Sequence, residues 1–255
     1  MTLLAALALL VAACEKKPVE VTDISLDASE AMVRVGETLT LTATVLPENA
    51  DDKNVRWYTS AASVASVDNG VVKAREMGTT RITAASSNLL KATCDVTCYS
   101  GIFTINGKDY PVTAASGYKY PPVADMPGDY DITLTCNVGG LDKHIRVMCP
   151  GVLFGEKVDM SQVIPSTTET AYVSWSFSSW DKQNENFIAV FYNFGSDAPY
   201  LVDNLWTRLP ITVSGSFCLK RVNATSYGIE LDAKFSDGTQ WKIQWSGYAK
   251  ITNLG

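Results

Sequence analysis

Strict alternation of apolar and polar residues recurs along this chain, and it confines the fold to β structure. Between residues 35 and 45, Leu39, Leu41, Ala43 and Val45 alternate with Thr38, Thr40, Thr42 and Thr44. A strand turns successive side chains to opposite faces, so this spacing buries one face and wets the other. Between residues 91 and 98, Ala92, Cys94, Val96 and Cys98 oppose Lys91, Thr93, Asp95 and Thr97. Tyr130, Ile132, Leu134, Cys136 and Val138 repeat the pattern, as do Val173, Trp175 and Phe177. Residues 187–194 are apolar on both faces, which predicts a central strand covered on both sides. Turn residues separate these runs: Pro47-Glu48-Asn49, Asp68-Asn69-Gly70, Met77-Gly78-Thr79, Asn106-Gly107 and Gly139-Gly140. Residues 211–222, 226–235 and 240–248 read as a closing meander, and Asp237-Gly238 as its type I′ turn. Only residues 200–209 leave room for a short helix.

The predicted class is therefore all-β: an N-terminal β-sandwich followed by a second antiparallel β-sandwich or partly closed barrel. The chain has 255 residues, enough for two ordinary domains. The texture changes at Gly101, since all tryptophans but Trp57 lie beyond Ala171. Boundaries are placed at 21–100 for the first domain and 101–255 for the second. The net charge is -6. Residues 21–100 carry seven basic and ten acidic side chains, and residues 101–255 carry twelve and fifteen. With no concentrated positive face, nucleic acid is excluded as a partner.

The first residues predict how the protein is held in place. Residues 3–13 are apolar and end at Cys14, after which the chain turns polar at once, Glu15-Lys16-Lys17-Pro18. The run is far shorter than the roughly 20 residues that span a bilayer. Val11-Ala12-Ala13-Cys14 resembles the lipobox of bacterial lipoprotein signals, although no Lys or Arg precedes the run. The resemblance implies cleavage after Ala13 and acyl chains on Cys14. Residues 14–20 would then be a lipidated tether, and the protein a lipoprotein of the cell envelope, exposed at the outer-membrane surface.

A second resemblance covers residues 21–99. Val35-Gly36-Glu37-Thr38, Pro47-Glu48-Asn49-Ala50, Val55-Arg56-Trp57, Ser63-Val64-Ala65-Ser66-Val67-Asp68, Gly70-Val71-Val72, Gly78-Thr79 and Ile82-Thr83-Ala84 occur in order. This series resembles the bacterial Ig-like domain of group 2, found in invasin- and intimin-like surface proteins. The family implies an Ig-like sandwich that serves as spacer or adhesive module, without catalytic residues. Trp57 reads as a core anchor of such a sandwich. The region from Gly101 resembles, loosely, C-terminal β-domains of envelope lipoproteins, which carries no function.

Catalytic signatures are missing from the sequence. His144 is the single histidine, at a strand start with nothing diagnostic beside it, so it reads as a satisfied surface residue. Asp181 and Glu185 form only an accidental pair of acids. Cys94 and Cys98 lie too far apart along one strand to bond each other. Cys136 and Cys149 flank a hairpin and are the one candidate disulfide pair. No zinc spacing and no cofactor fingerprint is present. Trp241 and Trp245 share a strand face with Ile243, which favours core over a sugar platform. Trp180, beside the polar run Asp181-Lys182-Gln183-Asn184, is the candidate ligand contact. The expectation is a non-enzymatic surface protein, lipid-anchored and without cofactor or metal. Its Ig-like spacer would present a β-domain to an extracellular protein or polymer. A carbohydrate-binding role in glycan uptake is the alternative.

Overall fold

In a computed structural model of the chain, the described residues are 17–124, 127–138, 141–149, 151–160, 164–165, 172–173, 176–181, 186–192, 200–202, 205–207, 212–235 and 238–255. Cys14 and the apolar run before it lie outside them. The N-terminal part comprises β1 (Asp23–Leu26), β2 (Glu30–Arg34), β3 (Thr38–Thr40), β4 (Ala43–Leu46), β5 (Val55–Thr59), β6 (Ala65–Asp68), β7 (Val71–Ala74), β8 (Gly78–Ser86) and β9 (Lys91–Tyr99). A four-stranded sheet β2-β9-β8-β5 faces a three-stranded sheet β3-β7-β6, with β1 and β4 paired beside them. Val33, Leu41, Ala65, Val72, Ile82, Cys94, Val96 and Cys98 fill the space between. This is the sandwich that alternation predicts, except that β2 runs parallel to β9.

The threonine-rich run from residue 35 to 45 keeps its alternation but serves two sheets. Thr38–Thr40 pairs with β7, whereas Ala43–Leu46 pairs with β1. Leu41 and Thr42 make the crossing, and their amides are met by Gly70 O at 2.9 Å and Asp27 Oδ1 at 2.9 Å. At the β6–β7 turn Asn69 and Gly70 have φ of 47° and 82°, the left-handed pair that a type I′ turn requires.

The C-terminal part comprises one curled eleven-stranded sheet and two separate two-stranded pairs. Its strands are β10 (Gly101–Ile105), β11 (Lys108–Lys119), β12 (Tyr130–Val138), β13 (Leu141–Cys149), β14 (Val158–Asp159), β15 (Ile164–Pro165), β16 (Tyr172–Val173), β17 (Ser176–Asp181), β18 (Asn186–Tyr192), β19 (Tyr200–Val202), β20 (Leu205–Thr207), β21 (Thr212–Arg221), β22 (Ser226–Phe235), β23 (Gln240–Tyr248) and β24 (Lys250–Asn253). The order is β14-β21-β22-β23-β10-β11-β12-β13-β17-β18, with β24 alongside β11. The meander thus returns to the first strand of this part, and β24 adds a parallel pairing at Ser116–Lys119. The curl brings β12 and β13 over β21–β23 and encloses one core. Tyr130 stacks on Phe154 at 4.1 Å, and Phe154 meets Tyr227 edge-on at 6.4 Å. Of the two shapes open at the sequence level, the partly closed barrel is the one adopted.

Two expectations need correction. The stretch predicted as a short helix forms strands β19 and β20, which pair as a hairpin. Tyr200-Leu201-Val202 and Leu205-Trp206-Thr207 are rich in β-favouring side chains, and two turn formers, Asp203 and Asn204, separate them. Strand β18, expected at the centre of a sheet, ends the path and pairs among the described residues only with β17. Periodicity reports which faces are covered, not where a strand stands across the sheet. Asp237 of the expected Asp237-Gly238 turn lies outside the described residues. Phe235 N–H donates to Thr239 O, Gly238 N–H donates to Phe235 O, and Gly238 takes φ of 87°.

Candidate functional site

The two parts are joined by one residue. Strand β9 ends at Tyr99 and β10 begins at Gly101, leaving Ser100 between. Ser100 is buried, its N–H donates to Val112 O at 3.1 Å, and its hydroxyl donates to Met77 Sδ at 2.8 Å. A Cβ on Gly101 would come within 2.6 Å of Trp245 Cα, so only glycine fits where β10 meets β23. The junction is therefore packed from both sides, and the parts flank a groove.

Two cavities follow this groove and share Arg34 and Ser246. The larger, about 930 Å³, lies between the turns at Arg34–Glu37 and Arg75–Met77 and the ends of β22 and β23. Its polar lining includes Glu37, Arg75, Glu76, Ser226 and Ser246, and Tyr248 supplies an aromatic side chain that is 56% exposed. The turns are held by backbone bonds: Gly36 N–H to Ala74 O at 3.1 Å, Ala74 N–H to Glu37 O at 3.1 Å, and Arg75 N–H to Val64 O at 2.8 Å. These bonds leave the long side chains of Arg34, Glu37 and Glu76 outside any ion pair among the described residues.

The smaller cavity, about 400 Å³, continues over the outer face of β22 and β23. Glu230, Asp232 and Gln244 line it. Lys220 Nζ bonds Glu230 at 2.7 Å and holds its carboxyl below the usual range, while Lys242 bridges Asp232 at 3.1 Å. A general acid needs its pKa raised, and Glu230 is shifted the other way. Among the described residues no group of three His, Cys, Asp or Glu side chains gathers to hold a metal ion.

The residues singled out from sequence distribute as follows. Trp241 and Trp245 are each 3% exposed, which makes theirs the core face. Trp57 is half-buried and packs against the sandwich core, close to Gly70, where a Cβ would sit 3.2 Å from its ring. His144 lies opposite Thr135 on the neighbouring strand, and Thr135 Oγ1 bonds its Nδ1 at 3.0 Å. Trp180 pairs across the sheet with His144, but its side chain and those of the Asp181 and Glu185 pair lie outside the described part. Cys136 faces Lys143 and Cys149 faces Tyr130, so six residues of strand, about 20 Å, separate two thiols that could otherwise have bonded. Burial pushes both thiols up to about 12.

Sequence reasoning missed the groove, because its walls come from segments far apart in the chain. One signal was legible. Lys242, Gln244, Ser246 and Tyr248 form the outward series of β23, and Tyr248 is the aromatic that breaks its polarity.

No helix among the described residues is long and apolar enough to cross a membrane. Residues 20–96 match the bacterial Ig-like domain (group 2). The chain is also similar to the 3-O-alpha-D-galactosyl-alpha-L-arabinofuranosidase of Bifidobacterium longum subsp. longum, 50% identical over 58 residues, 22% of this chain and 5% of that protein. It is 42% identical over 78 residues to an uncharacterised protein of Clostridium acetobutylicum, 29% of this chain and 8% of that one. To the kappa-carrageenase of Pseudoalteromonas carrageenovora it is 40% identical over 76 residues, 29% of this chain and 19% of the enzyme. The chain thus spans less than a fifth of each relative's length.

Proposed function

We propose that the protein is a non-catalytic binding protein of the cell surface, anchored through a lipidated Cys14, which holds a carbohydrate polymer in the groove between its two parts. The observation that carries this reading is the groove lining. Guanidinium, carboxylate and hydroxyl groups from Arg34, Arg75, Glu37, Glu76 and Ser246 stand around the exposed ring of Tyr248. Sugars offer hydroxyls to planar polar groups and C–H faces to an aromatic ring, and a site with few such groups around an apolar surface suits them. Two of the three relatives are named for carbohydrate substrates, an arabinofuranoside and kappa-carrageenan, which supports the same class.

The Ig-like sandwich acts as a spacer in this reading. Strand β9 has 9 residues and leads from the tethered end to the junction at Ser100. At about 3.3 Å per residue it sets the groove some 30 Å further out than the tether. The test is a glycan array probed with the full chain. Retention on one or more polysaccharides, lost in Tyr248→Ala, is the expected result. Binding only to extracellular proteins, unaffected by Tyr248→Ala, would replace the carbohydrate reading with adhesion.

A further inference from the structure

A three-residue loop, 87–89, joins β8 to β9 and is closed by two backbone bonds, Ser86 N–H to Leu90 O at 2.9 Å and Leu89 N–H to Ser86 O at 3.0 Å. The left-handed residue here is Leu89, at φ of 70°. That backbone crowds a Cβ against the following carbonyl and is disfavoured for every residue but glycine. Leu89 gains no compensation within the chain, since at 74% exposure it is the most exposed large apolar side chain among the described residues. Leu90, beside it, is 37% exposed. Strain held where no internal contact rewards it points to a contact outside the fold.

The position of the loop says which. Asn88 Nδ2 donates to Val21 O at 2.7 Å, and the preceding segment is clamped by Asp51, whose carboxylate accepts from Val19 N–H at 2.8 Å. The polypeptide arriving from Cys14 therefore enters the fold beside Leu89. Residues 14–20 reach at most about 25 Å when extended, so this pole stays next to whatever surface Cys14 is anchored in. Strand β9 leaves the loop in the opposite direction, toward the groove.

We infer that loop 87–90 is a second membrane contact, in which Leu89 and Leu90 enter the margin of the acyl chains of the bilayer that holds Cys14. The inference rests on the anchor reading given above. Asp52 lies against Ser87 of the same loop, so the contact is apolar rather than an attraction to anionic headgroups. An acyl anchor plus inserted side chains gives the two signals that stable, oriented membrane attachment takes.

The experiment uses the full acylated protein in phosphatidylcholine vesicles whose acyl chains carry a nitroxide quencher. An environment-sensitive fluorophore is placed on Leu89→Cys or on Val123→Cys, an exposed site of the C-terminal part. The label at 89 should shift to the blue and lose most of its emission to the lipid quencher, and the label at 123 should do neither. A label at 89 that is as unquenched as that at 123, while the protein floats with the vesicles, overturns the inference but leaves the anchor intact. Shielding of the label at 89 from aqueous iodide without lipid quenching means a protein partner, and overturns it too. Failure of the acylated protein to float removes the anchor reading, and this inference with it.

Discussion

Trp57, Trp241 and Trp245 occupy different depths, and their truncations should separate accordingly. Trp241 meets Phe103 edge-on at 5.2 Å and Phe235 at 5.7 Å inside the barrel core. Trp241→Ala and Trp245→Ala should each lower stability by about 3–5 kcal/mol, as for other buried aromatics. Trp57 is half-buried, so Trp57→Ala should cost less, about 2–3 kcal/mol; urea melts of the variants give both numbers. Leu89→Gly should stabilise the protein by about 1 kcal/mol, because it removes the left-handed strain, while weakening contact with lipid. The core roles of Trp241 and Trp245 were legible in the sequence from Ile243 between them. The indole N–H of Trp245 was not: it is buried with no acceptor among the described residues, an expense set against the ring's packing beside Gly247.

Strands and hairpins were the most legible level. Alternation located β9, β12 and β23 with the right faces buried, and Asn106-Gly107 marked a turn whose φ values, 48° and 82°, are those of type I′. What alternation could not show is lateral order. The sheet change at Leu41, the edge position of β18 and the parallel strand β24 depend on pairings between distant segments. The same pairings decide the cysteines. Cys94, Cys98, Cys136, Cys149 and Cys218 are all buried, and burial raises every one of these thiols. A raised pKa keeps the thiol protonated, hence unreactive, from neutral pH up to the shifted value. Thiol titration of the native protein between pH 7 and 9 should therefore label none of the five, and denaturant should expose them all. Ready labelling of Cys136 or Cys149 in the folded state would contradict their place in the core. On β12 and β13, Asp131 is 3% exposed and accepts two bonds from Arg146 Nε at 2.9 and 2.8 Å. Arg146→Ala, which strands that carboxylate, should lower stability by about 3 kcal/mol, read from the melting transition.

At the scale of the molecule, the proposed function rests on a sequence of placements: a proposed tether, then the sandwich, the single-residue junction and the groove. Cys14→Ser should move the protein from the membrane to the soluble fraction, since each acyl CH₂ buried contributes about 0.8 kcal/mol to anchoring; cell fractionation reads the outcome. The Ig-like sandwich was readable from short motifs, which match the family over residues 20–96. The groove was not, because Arg34, Arg75 and Tyr248 belong to three distant segments, and only the packing around Ser100 brings them together. Trp180 drew attention instead because an aromatic beside polar residues is a local signal. The most direct test of the account is a calorimetric titration of an array-identified polysaccharide into the wild-type chain, Tyr248→Ala and Arg34→Ala. The account predicts saturable binding to the wild type and a loss of tenfold or more, about 1.4 kcal/mol, in each variant, with melting transitions unchanged. Wild-type affinity retained in both variants would contradict it.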